Sequence, residues 1–170
     1  MKRKEIEPVY GIYLQRDIPH VERFIDHEII YISRYINAAW MESLYGCFMD
    51  KDGGVYYFDF SEEDGTCYPE YDDVEVFYRS LERIRKTEEP EKVVDEAIVK
   101  QILELRNEVD MSADYYGIVS AACDAGVSRQ LLYDPKTREF VCLQESGDDE
   151  VLLDDENAVK IIKLCKDNIY

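Results

Sequence analysis

The sequence predicts an α+β fold of about five helices packed on antiparallel β-hairpins, and three observations carry that prediction. Apolar residues recur at helical spacing in five segments, aromatic-rich or aliphatic runs flank two short turn-forming segments, and acid-rich polar stretches separate these units. With 170 residues and 46% hydrophobic composition, the chain suffices for one domain, 1–170, or two closely packed halves, 1–88 and 89–170.

The elements follow in order. Val9, Tyr10, Ile12, Tyr13 and Leu14 suggest a first strand over residues 9–14. Asp17 is placed to cap a helix, with Pro19 tolerated in its first turn, and Ile25, Ile29, Ile32, Ile36 and Trp40 continue one apolar stripe to about Ser43. Residues 44–49 and 55–60 surround the turn Asp50-Lys-Asp-Gly-Gly54 and read as a hairpin. An acidic loop over 61–71 leads to a helix over 73–86, whose buried side is Val74, Phe77, Tyr78, Leu81 and Ile84. That helix starts acidic and ends basic, as its macrodipole favours.

The polar segment 87–91, with its proline, is the best internal boundary. Val94, Ile98, Ile102, Leu105 and Val109 mark a third helix. Ser112 opens a short fourth helix through Tyr116, Val119 and Cys123, closed at Gly126. Residues 130–133 and 140–143 flank a second turn, 134–138. A second acidic loop, 145–150, precedes a last helix capped near Asp154 or Asp155, with Val159, Ile162 and Cys165 inward. The order helix, hairpin, acidic loop, acid-capped helix occurs twice, which suggests two similar helix–hairpin–helix halves.

Charge sets the functional expectation. The chain has 38 acidic and 20 basic residues, a net charge of -18. No Lys or Arg falls between Lys51 and Arg79, nor between Arg138 and Lys160. Such a surface repels nucleic acid and anionic membranes and steers cationic partners inward. The opening residues lack the apolar run of a signal peptide and no segment reaches membrane-spanning length, so a cytoplasmic protein is expected. Five scattered cysteines without CxxC spacing read as free thiols in a reducing compartment.

Catalytic and metal-binding patterns are weak. From Asp50, a calcium loop would need glycine at its sixth place and glutamate at its twelfth, where Val55 and Ser61 stand. His20 and His27 are seven apart, too far for adjacent helical ligands. No phosphate-binding glycine motif or nucleophile elbow occurs. Neither an enzyme nor a cofactor is therefore expected, with a carboxylate-rich metal-dependent enzyme as the alternative. An accessory interaction module, acidic only for solubility, is a third reading.

Tyr56, Tyr57, Tyr68 and Tyr71 share a window with eight carboxylates between Asp59 and Glu75. Tyrosines supply anchors at protein interfaces and carboxylates accelerate association with a basic surface. The candidate partner-binding residues are Asp59, Glu62, Glu63, Asp64, Tyr68, Tyr71, Asp72 and Asp73, together with Asp148, Asp149 and Glu150 in the second window.

The run from Asp52 to Ser61, its acidic loop and the helix bearing Phe77 and Leu81 resemble the central part of SUKH-type immunity proteins, over about residues 52–84. The resemblance implies an α+β protein that binds and neutralises a toxin. The expected function is thus an acidic cytosolic protein that occludes a basic protein partner, as a toxin-immunity protein or a nucleic-acid-mimicking inhibitor of the anti-restriction or anti-CRISPR kind. Contact with nucleic acid or membrane is not expected.

Overall fold

The computed structural model describes residues 28–37, 42–61, 70, 73–119, 126–147 and 149–170. Eight strands form one sheet: β1 (Ile29–Asn37), β2 (Ser43–Asp50), β3 (Gly54–Asp59), β4 (Lys92–Val93), β5 (Tyr115–Val119), β6 (Val127–Asp134), β7 (Glu139–Gly147) and β8 (Asp149–Leu153). Their order is β4-β3-β2-β1-β6-β7-β8-β5, with every neighbouring pair antiparallel. Three helices occur among the described residues: α1 (Val74–Thr87), α2 (Glu96–Glu108) and α3 (Glu156–Ile169). None of the described helices is long and apolar enough to cross a membrane.

The α+β class holds, but in place of five helices on separate hairpins, arranged as helix–hairpin–helix halves, the described residues form three helices and one eight-stranded sheet. Two segments account for the difference. Residues 29–37, expected to continue a helix, form the central strand β1. Ile29, Ile30, Tyr31 and Ile32 are all buried, so both faces of the strand are covered here. A strand buried on both sides loses polar alternation, and its β-branched residues then fall at helical spacing by coincidence. Residues 115–119, expected within a short helix, form the edge strand β5 against β8. Tyr115, Tyr116, Ile118 and Val119 are strand formers, and pairing outweighed the spacing of Tyr116 and Val119. The strand expected over 9–14 and the start of the first helix lie outside the described residues.

Both hairpins form where the turn chemistry places them. Asp50 is buried at the β2–β3 turn, and its Oδ1 accepts the amides of Asp52 at 3.1 Å and Gly54 at 2.8 Å. Gly53 lies there at φ 87°, a left-handed conformation in which glycine is unstrained. Asp134 serves the β6–β7 turn in the same way, accepting the Lys136 amide at 2.9 Å and the Thr137 hydroxyl at 3.0 Å. The boundary segment 87–91 runs onto the sheet: the Glu91 amide donates to the Val55 carbonyl, and β4 pairs with β3.

The register divides the core. On one face α1 packs Phe77 and Tyr78 against aromatic side chains of the sheet. Phe58 meets Phe77 edge-on at 5.4 Å, and Tyr78 stacks on Phe140 at 5.6 Å. Arg34 lays its guanidinium 5.5 Å over the Phe77 ring on that side. The other face carries α3, which packs on α2 and buries Ile161, Ile162, Cys165 and Ile169. Val159, expected to point inward, is 43% exposed, and Ala158 and Ile161 take the inward positions. Residues 145–147 and 149–150, expected in a loop, belong to the paired strands β7 and β8, with Glu145 bound to Arg129 at 2.6 Å.

Candidate partner-binding groove

The sheet register builds a site that no single stretch of sequence contains. Directly paired residues on antiparallel strands point to the same face. Asp59 pairs with Tyr45, Tyr45 with Tyr35, Tyr35 with Ser128, Ser128 with Ser146, and Ser146 with Glu150. One row therefore crosses six strands on the α3 face. A carboxylate stands at each end.

A β-bulge makes this continuity possible. The β6–β7 register shifts between Gln130 and Leu131, so that Gln130 faces Gln144 while Leu131 faces Cys142. The extra residue reverses the alternation of β7 and turns Gln144 and Ser146 toward α3. At the bulge the Cys142 carbonyl accepts the Tyr115 hydroxyl at 2.8 Å.

The end of α3 forms the wall of a groove over this row. Tyr57 donates to the Ile169 carbonyl at 3.3 Å, and Lys166 donates to Gln144 Oε1 at 3.0 Å. Beneath them, Tyr31 donates to Gln130 Oε1 at 2.8 Å, and Gln130 donates to Gln144 at 3.2 Å. The Tyr170 hydroxyl turns inward to hydrogen-bond with Ser33 and Tyr31, while the residue as a whole is 59% exposed. The cavity measures about 760 Å³ and is lined by Ser33, Tyr35, Tyr45, Cys47, Tyr57, Asp59, Ser128, Gln130, Ser146, Lys166 and Tyr170, with Arg34, Gly46 and Phe58 completing its floor.

The chain's net charge of -18 favours a cation at long range, while the groove itself holds charges of both signs. Asp59 is exposed at one end, its Oδ1 accepting the Ser61 amide at 3.0 Å, and Glu150 is exposed beyond the other. The carbonyl end of α3 adds partial negative charge at the wall. Of the basic lining residues, Arg34 turns its side chain to the opposite face, whereas Lys166 donates to the neutral Gln144 amide and keeps its positive charge at the wall. Tyr45 is 46% exposed and Tyr57 49%, and Tyr45 lies 4.9 Å from the Tyr35 ring. Exposed rings of this kind offer faces to apolar groups and to cations.

The thiol in the groove is not poised for nucleophilic chemistry. Burial pushes the Cys47 thiol up to about 11, so it stays protonated at neutral pH. Burial raises the Cys165 thiol and the Tyr31 and Tyr170 hydroxyls as well. Among the described residues, no group of three or more His, Cys, Asp or Glu side chains is arranged to hold a metal ion. A second cleft of about 600 Å³ lies beside the β6–β7 turn, and two of its acids serve the chain itself. Asp134 holds the turn, and hydrogen bonds from Ser112 hold the Asp110 carboxyl below its ordinary value.

Of the residues proposed from sequence, Asp59 lines the groove and Glu150 ends its row. Asp73 caps α1, accepting the amides of Glu75 at 2.8 Å and Val76 at 3.2 Å. Asp149 opens β8 by backbone pairing with Val119. Glu62, Glu63, Asp64, Tyr68, Tyr71, Asp72 and Asp148 lie outside the described residues. Sequence reasoning missed Tyr35, Tyr45, Ser128, Ser146, Lys166 and Tyr170. Alternation along β2 places Tyr45 and Cys47 on one face, but nothing local joins them to Ser128 or Tyr170. Comparison with protein-family profiles, with curated proteins and with solved structures gives no match to this chain.

Proposed function

We propose that this protein is an acidic cytoplasmic binding protein that neutralises a basic protein partner by covering its cationic surface, in the manner of a toxin-immunity protein. The observation that carries the reading is the placement of Asp59 beside the exposed rings of Tyr45, Tyr57 and Tyr170 in one groove. Aromatic anchors surrounded by charge are the composition of a protein-binding hot spot. The net charge of -18 supplies long-range attraction for a basic partner and repulsion of nucleic acid. Neutralisation is by occlusion, which requires neither a nucleophile nor a cofactor.

The test is affinity capture of basic proteins from the source cell with wild-type chain and with Glu62, Glu63 and Asp64 all changed to Lys. A specific basic protein is expected on the wild type at ~0.05 M salt, released at ~0.5 M, and absent from the reversed variant. Equal capture by both chains, with the variant folded, removes the acidic surface from the mechanism. Calorimetry with calcium, magnesium, manganese and zinc tests the metal-dependent alternative, which predicts heat where the binding reading predicts none.

A further inference from the structure

The row from Asp59 to Glu150 has a length, and that length specifies a ligand. Five strand spacings of about 4.8 Å set the backbones of Asp59 and Glu150 about 24 Å apart along the sheet. Between them lie rings and hydroxyls: Tyr45, Tyr35, Ser128 and Ser146. We infer that the groove receives an extended segment of the basic partner laid across the strands, about seven residues long, with a cationic side chain near each end. One cation meets Asp59 against the Tyr45 and Tyr57 rings, and the other meets Glu150. The intervening backbone lies over the serine hydroxyls, which both donate and accept hydrogen bonds. This inference rests on the reading of the protein as a binder of basic partners and adds where, and in what form, the partner is held.

Three features favour this occupant. An extended chain advances about 3.4 Å per residue, so cations six positions apart have backbones about 20 Å apart, and arginine side chains supply the remaining reach. An even separation keeps both side chains on one side of the segment. The row carries a carboxylate at each of its ends, Asp59 inside the groove and Glu150 beyond it, and the chain's net charge of -18 outweighs the positive charge that Lys166 keeps at the wall.

The experiment uses the full chain at low ionic strength and two synthetic peptides of identical composition, built of glycine, serine and two arginines. In one the arginines stand six positions apart, and in the other they are adjacent. The spaced peptide is expected to bind roughly three- to tenfold more tightly. That advantage is expected to vanish in the double variant Asp59→Asn with Glu150→Gln, two exposed changes that leave thermal unfolding unaltered, and in Ser128→Trp, which fills the middle of the groove. Equal affinity for the two peptides, or an advantage that survives the double variant, overturns the inference. Polyarginine separates the two levels. If it binds in a salt-dependent way while the spaced peptide shows no advantage, the groove assignment falls and the acidic reading stands. If polyarginine fails to bind at low salt, the acidic reading falls as well.

Discussion

Tyr57 of β3 donates its hydroxyl to the carbonyl of Ile169 at the end of α3, 3.3 Å away, and so joins the edge half of the sheet to the wall of the groove. Tyr57→Phe keeps the ring and removes only this bond. A loss of about 0.5–1 kcal/mol is expected in chemical denaturation. Hydrogen exchange in the last turn of α3 should accelerate while that in α1 stays unchanged. Uniform acceleration across the protein would show that the bond has no local role.

Asp73 and Asp59 are neighbours in acidity but not in work. Asp73 accepts two amides at the start of α1, whereas Asp59 accepts one from an adjacent loop residue and is otherwise exposed. Asp73→Ala should cost about 1 kcal/mol of stability, the usual value for loss of such a cap. Asp59→Asn, which retains the acceptor oxygen, should stay within about 0.5 kcal/mol of wild type. Urea titration of the two variants decides, and a reversed ranking would exchange their roles.

Gly46 is required by close approach. A Cβ placed on it would lie 2.0 Å from the Ser33 carbonyl oxygen and 2.9 Å from Arg34 Cα, both backbone atoms of β1 that cannot swing aside. Gly46→Ala should therefore cost about 3 kcal/mol or more and lower the urea midpoint at unchanged slope. It should also weaken arginine-peptide binding, because β1 and β2 carry Tyr35 and Tyr45. A near-neutral result would mean that the two strands separate without penalty.

Burial of thiols predicts an alkaline limit to stability. Cys47 is raised from 9.0 to about 11 and Cys142 from 9.0 to about 12, both chiefly by burial. A raised value means that the native protein holds the proton more tightly than the unfolded chain does. The resulting stability is complete below pH 9 and is lost as pH rises through 11 and 12. Urea midpoints should fall between pH 9 and 11, and fall less steeply in the double variant Cys47→Ala, Cys142→Ala. Thiol reagents at pH 8 should react slowly with the native protein and rapidly in urea. Parallel pH profiles for variant and wild type would assign the limit to other groups.

Local chemistry made part of this molecule legible in the sequence. The hairpin turns at Asp50 and Asp134 and the cap of α1 at Asp73 depend on side chains bonding amides two to four residues away, so their residues name them. The cap of α3 at Asp155 is of the same kind, accepting the amides of Asn157 and Ala158. The large negative charge is likewise a property of composition, whatever the fold. Tertiary structure decided the rest. Whether residues 29–37 are helix or strand depends on what covers them, and burial on both faces suits their continuous apolar run to a central strand. The two acidic windows, each read from sequence as a hairpin's end, a loop and the start of a helix, supply Asp59 and Glu150 to opposite ends of one row. Their common face is set by strand order and by a single bulged residue in β7, which are long-range pairings that local periodicity does not encode.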